Sequence, residues 1–283
     1  MSRYRPLLAL ARGGMATVDV ALHDDAVGTR RYVVLKRVRA DRDSGDGRAL
    51  LASEARLSAR LAHPNVVRTL DLEDDGDGDL TLVLEYVPGV TLAQLCRRAR
   101  ERGERVPLPI ALRVVRDLLE GLSYVHSARD YDGSPLGVIH RDVSPSNVLV
   151  GAAGVTKLID FGVAKWASAT ACTASGFVKG KISYMSPEQL VGAPLDPRTD
   201  LFAVGVILWE LVAGERIAKA ERCEGWIRAR VADRAPALAD HAPHAPSPIA
   251  WVVARCLARD PAARYPDARA LGDALAALAD AYG

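Results

Sequence analysis

The stretch VIHRDVSPSNVLV, Val138 to Val150, decides how the rest of the chain is read. It sets His140, Arg141 and Asp142 together, with Asn147 five residues after the aspartate. Thirteen residues beyond Asn147 a second motif, IDFG, places Asp160 between apolar Leu158-Ile159 and Phe161-Gly162. A lone DFG recurs by chance, but HRD and Asn followed at this interval by DFG is a specific signal.

Working outward, VVLK places Lys36 at the end of an apolar strand, where a buried ammonium needs an anion. Glu54, in LLASEARL, follows 18 residues later. Downstream lie SYMSPEQL, Ser183 to Leu190, and RDPAARY, which contains Arg264. Between them RTDLFAVGVILWEL is too apolar for a surface helix and too short to span a membrane, so it reads as a buried central helix with Asp200 near its start. Over nearly its whole length the sequence resembles the bacterial eukaryotic-type (Hanks-type) Ser/Thr protein kinase catalytic domain.

The resemblance implies an α+β, bilobal fold. A small β-rich lobe with one main helix covers residues 1–87, and a larger, mostly helical lobe covers residues 88–283. It implies transfer of the γ-phosphoryl of ATP to Ser/Thr hydroxyls of proteins. Lys36 would meet the α/β-phosphates and pair with Glu54. Asp142 would accept or orient the proton of the attacking hydroxyl. Asn147 and Asp160 would hold Mg²⁺, or Mn²⁺, which takes a few hard oxygens together with phosphate. Ala11, Gly13, Gly14, Val18, Val34 and Leu149 would surround the nucleotide. Leu84 would be the gatekeeper, and the backbone of Glu85 to Val87 would bind the adenine. Core packing is the plainer reading of each apolar position taken alone. Glu188, Arg264 and Asp200 would be structural: the first two as a buried pair, the third bracing the catalytic loop. Arg141 would bind an activation-segment phosphate on Thr173 or Ser175, with Thr170 a lesser candidate.

Three departures mark this chain. The Gly-rich loop reads Ala11-Arg12-Gly13-Gly14-Met15-Ala16, so its first and third glycines are alanines. Val34 stands where relatives carry a smaller alanine. Ser144 replaces a catalytic-loop Lys, while Lys181 replaces a Thr that touches that Lys in similar kinases. The two changes suggest a swap, with Lys181 returning the charge to the γ-phosphate from the opposite wall and Ser144 taking the hydroxyl contact. The altered Gly-rich loop and Ser144 also leave a second reading, a nucleotide-binding pseudokinase or scaffold. A third, a small-molecule phosphotransferase of kinase fold, is disfavoured by Arg141, the SPE motif and Arg264.

The bulk composition agrees. The chain has 283 residues, 49% hydrophobic, with 37 basic and 35 acidic residues interspersed. This leaves no one-sided basic field for nucleic acid. RRARERGER, residues 97–105, reads as a solvated helix end. No segment reads as a membrane span or signal peptide, and the four cysteines show no CxxC spacing, so a reduced cytoplasmic setting is expected. A cytoplasmic domain of a longer, membrane-anchored protein fits equally. Protein substrates are the expected partners, with dimerisation a route to autophosphorylation in trans.

Overall fold

The computed structural model describes residues 3–12, 16–24, 28–38, 55, 57–74, 80–160, 182–217 and 235–282. These fall into two compact units that divide at Pro88 and Gly89.

The first unit is built on an antiparallel five-stranded sheet, ordered β1-β2-β3-β5-β4. Its strands are β1 (Tyr4–Arg12), β2 (Ala16–Asp24), β3 (Arg30–Val38), β4 (Thr69–Asp74) and β5 (Leu80–Glu85). The strand period of two sorts β3 between two faces. Val33 and Leu35 turn into a core with Tyr4, Ala21 and Val83. Val34 and Lys36 take the opposite face. Of the one main helix expected in this lobe, Ala55 and Leu57–Ala59 are helical, and Ala55, Ser58 and Leu61 are buried.

The second unit begins with a three-stranded sheet, β6 (Gly89–Thr91), β7 (Val148–Gly151) and β8 (Thr156–Leu158). Gly89 is required there, because a Cβ would lie 2.3 Å from the Val150 carbonyl oxygen. The helices are α1 (Leu92–Glu101), α2 (Leu108–His126), α3 (Pro187–Leu190), α4 (Arg198–Ala213), α5 (Leu238–His241), α6 (Ser247–Cys256) and α7 (Ala268–Tyr282). The apolar run singled out in the sequence is α4, buried from Thr199 to Ala213 and closed by Gly214 in the left-handed conformation. It is the axis of the core: α2 and α6 pack against it, and α7 packs on α2. Gly205 allows the α4–α6 approach, since a Cβ would fall 2.5 Å from that of Cys256. Among the described residues no helix is long and apolar enough to cross a membrane.

Candidate active site

In the first unit, register assembles the expected nucleotide residues. Lys36 on β3 lies directly between Val18 on β2 and Leu82 on β5, and Val34 lies between Val20 and Leu84. Directly paired residues point to the same face. Val18, Val34, Lys36 and Leu84 therefore share one half-buried face of the sheet, and Ala11, paired with Val18, continues it onto β1. At the end of β5 the Glu85 N–H donates to the Arg68 carbonyl at 3.0 Å, while its carboxylate accepts the Arg68 N–H at 2.9 Å.

In the second unit, the stretch from Val138 to Val150 is held from three directions. Pro145–Asn147 forms one turn of 3₁₀ helix that delivers the chain into β7. Asn147 Nδ2 donates to both the carbonyl and the carboxylate of Asp142, at 2.8 and 2.9 Å. That fixes the amide's orientation and leaves Oδ1 as its hard-oxygen donor. From α4, the buried Asp200 carboxylate accepts the N–H groups of His140 and Arg141 at 2.9 and 2.8 Å, and His126 Nε2 lies 2.7 Å from Asp200 Oδ2. Burial alone would raise the Asp200 pKa, but these hydrogen-bond donors outweigh it and hold it below its ordinary value. His140 Nδ1 accepts the Asp142 N–H, so Nε2 carries the proton and donates to the Ile159 carbonyl at 3.1 Å. Burial pushes the His140 pKa down, against the pull of Asp200 and Asp142. Two residues of the site have left-handed backbone, Arg141 at φ 66° and Asp160 at φ 57°. Such strain costs on the order of 1–3 kcal/mol each and persists only where neighbours over-determine it.

The segment after residue 181 is anchored by one pair. Arg264, 2% exposed, makes a two-pronged contact with Glu188 at 2.7 and 2.8 Å. Its remaining N–H groups donate to the carbonyls of Ala258, Arg198 and Arg259, so all five donors of the guanidinium are engaged. Thr199 Oγ1 donates to the same carboxylate at 2.9 Å. Burial would raise the Glu188 pKa, but Arg264 overcomes it and the net displacement is downward. Tyr184 is fastened by donating to Glu210 Oε2 at 2.8 Å.

The structure thus brings together Arg141, Asp142, Ser144, Asn147 and Asp200 around one loop, and Glu188 with Arg264. Leu149 is half-buried on β7. Gly13, Gly14, Glu54, Phe161, Gly162, Thr170, Thr173, Ser175 and Lys181 lie outside the described residues. The sequence reading missed His126, Gln189 and Thr199, which fasten Asp200, the Arg141 carbonyl and Glu188. Their signal is weak. Each is a single polar residue in a buried helix or turn, and only tertiary neighbours give it a task.

The family model described as protein kinase domain matches residues 4–274. Among curated proteins the chain is 37% identical to the tyrosine-protein kinase MasK of Myxococcus xanthus, over 94% of this chain and 41% of that one. It is 31% identical to the probable serine/threonine-protein kinase PknB of Lactococcus lactis, over 94% of this chain and 40% of that one. It is 35% identical to the serine/threonine-protein kinase PknL of Mycobacterium tuberculosis, over 99% of this chain and 66% of that one. The chain therefore spans from about two-fifths to two-thirds of the length of these relatives. The solved cysteine-to-alanine mutant of the PknI kinase domain of Mycobacterium tuberculosis is similar with a TM-score of 0.73 and 25% identity, covering 98% of this chain and 96% of that one.

Proposed function

The chain belongs to the protein kinase family, and on that premise we propose that it transfers the γ-phosphoryl group of ATP to serine and threonine hydroxyls of protein substrates. The observation that carries this reading is the Asp142–Asn147 arrangement, in which a carboxylate is held by an amide within a loop whose main chain is locked by Asp200. A loop without phosphotransfer has no chemical need of that constraint, which weighs against the scaffold reading.

Asp142 orients and deprotonates the acceptor hydroxyl. Lys36 pairs with the phosphates, and Val18, Val34 and Leu84 cover the base. The Glu85 N–H is engaged by Arg68, so the main-chain donor for adenine comes from Val87. Asn147 Oδ1 and the Asp160 carboxylate are hard oxygens of the kind Mg²⁺ or Mn²⁺ takes, and they would hold the ion that neutralises phosphate charge. Lys181 supplies the cation that Ser144 does not. Arg141 answers a phosphate on Thr173 or Ser175, and dimerisation allows that phosphate to be added in trans. PknB and PknL, named as serine/threonine kinases, support the acceptor class. MasK, named as a tyrosine kinase, favours a second reading in which tyrosine is the acceptor.

Autophosphorylation tests all of this at once. The purified chain with Mg-ATP is expected to gain phosphate on serine or threonine, by intact mass and site mapping, while Asp142→Asn gains none. Phosphotyrosine alone would install the second reading. No phosphate on either protein would overturn the proposal in favour of the scaffold.

A further inference from the structure

Arg141 is strained, and side chains hold both of its main-chain polar groups. Its N–H donates to Asp200 on α4, and its carbonyl accepts from Gln189 Nε2 on α3 at 2.9 Å. Gln189 is 6% exposed, and the other end of its amide is also engaged: Oε1 accepts the N–H of Ser186 at 2.9 Å. These two bonds fix which end of the amide is which. Ser186 is fully buried and returns the contact, its hydroxyl accepting the Gln189 N–H as the cap of α3. One amide thus bridges the turn after Ser186 to the main chain immediately before Asp142. A cavity of about 10 Å³ beside it is lined by Arg141, Asp142, Tyr184, Met185, Gln189 and Thr199.

We propose that Gln189 is a positioning residue for phosphoryl transfer, coupling the seating of residues 186–190 to the placement of the Asp142 carboxylate. The inference rests on the phosphoryl-transfer reading above. The chemistry demands an acceptor at one end of the side chain and a donor at the other. Leucine and methionine offer neither, and asparagine is one methylene short. A glutamate carboxylate keeps the acceptor and loses the donor, whereas its protonated form restores both. The coupling is directional, because the strained carbonyl of Arg141 answers to α3 while its N–H answers to α4.

The test compares three variants of the whole chain. Gln189→Met is expected to lower kcat at least about tenfold, with KM for ATP unchanged, since misplacing a catalytic group by a fraction of an ångström is costly. Ser186→Ala removes the cap hydroxyl but keeps both bonds of the Gln189 side-chain amide, to the Ser186 N–H and to the Arg141 carbonyl, so the coupling stays intact. It is expected to lower Tm while holding kcat within about twofold. Gln189→Glu is expected to regain activity relative to the parent as pH falls from about 8 to about 6, as the introduced carboxyl takes up a proton. Hydrogen exchange of the 140–142 amides supplies a readout independent of activity: faster in Gln189→Met, unchanged in Ser186→Ala. A parent that transfers no phosphate sinks the function proposed above, and exchange then decides the coupling alone. Equal kcat losses in Gln189→Met and Ser186→Ala, or unchanged kcat and exchange in Gln189→Met, would overturn the inference.

Discussion

Ser144 is 2% exposed, and its hydroxyl meets no hydrogen-bond partner among the described residues. Leaving a buried hydroxyl unpaired costs on the order of 1–3 kcal/mol. A residue kept at that cost, two positions from Asp142, is expected to trade stability for activity. Ser144→Ala should therefore raise Tm by a few degrees in a thermal melt while lowering the phosphotransfer rate. A Tm that falls instead would show that the hydroxyl has a partner in the folded protein. The companion prediction concerns Lys181. If it supplies the missing cation, Lys181→Ala lowers kcat by about 10²–10³, in line with the loss of one positioned electrostatic group. A kcat within a few-fold of the parent would end the swap. The sequence exposed both departures because they fall inside recognisable motifs. It could not tell whether Ser144 was buried, since burial is a property of its neighbours.

Among elements, α3, α4 and the turn carrying Arg264 act as one assembly. Breaking a buried ion pair by removing one partner costs about 3–5 kcal/mol, because the other charge stays buried. Arg264→Met is thus expected to lower Tm on the order of 10 °C, measured by calorimetry, and Glu188→Gln to lower it less. The pH dependence follows from the displaced groups. The His140 pKa is lowered from 6.5 in the folded protein, so below 6.5 the unfolded chain binds the extra proton and stability is lost as pH falls. The Glu188 pKa is lowered from 4.5, so its contribution is complete above 4.5 and declines below it. Glu210 acts in the opposite sense, because burial raises its pKa and the folded protein takes up that proton first. Tm should therefore change little between about pH 6.5 and about pH 4.5 and fall steeply below about pH 4.5, and a Tm that rises below about pH 4.5 would contradict the assignment. The strand β3 was legible from the apolar VVLK and α4 from its continuous apolar run. The β6-β7-β8 sheet was not: strands of three or four residues hold too few periods to register, and Gly89 gains its meaning only from the close approach of β7.

For the whole molecule, the bilobal α+β class read from the motifs is the one found, and the protein kinase domain match extends over residues 4–274. If Lys36 meets the nucleotide phosphates, Mg-ATP at 100 times its dissociation constant stabilises the folded protein by about 2.7 kcal/mol. A thermal shift of several degrees is expected for the parent, reduced with ATP and a chelator, and absent in Lys36→Ala. An equal shift in Lys36→Ala would move the phosphate contact elsewhere.

The sequence by itself determined the family and set Lys36, Asp142, Asn147, Asp160 and Asp200 in its motifs, because these are matters of residue type at fixed spacing. Tertiary structure alone decided that Val18, Val34, Lys36 and Leu84 share one face, since face depends on strand register. It alone also decided that His126 and Gln189 fasten the loop of residues 140–147, through Asp200 and the Arg141 carbonyl. His126 is 74 residues from Asp200 in the chain, and Gln189 is 48 from Arg141. A hydrogen bond across that separation leaves no local pattern, and only the folding of α2, α3 and α4 onto the loop brings its two ends together.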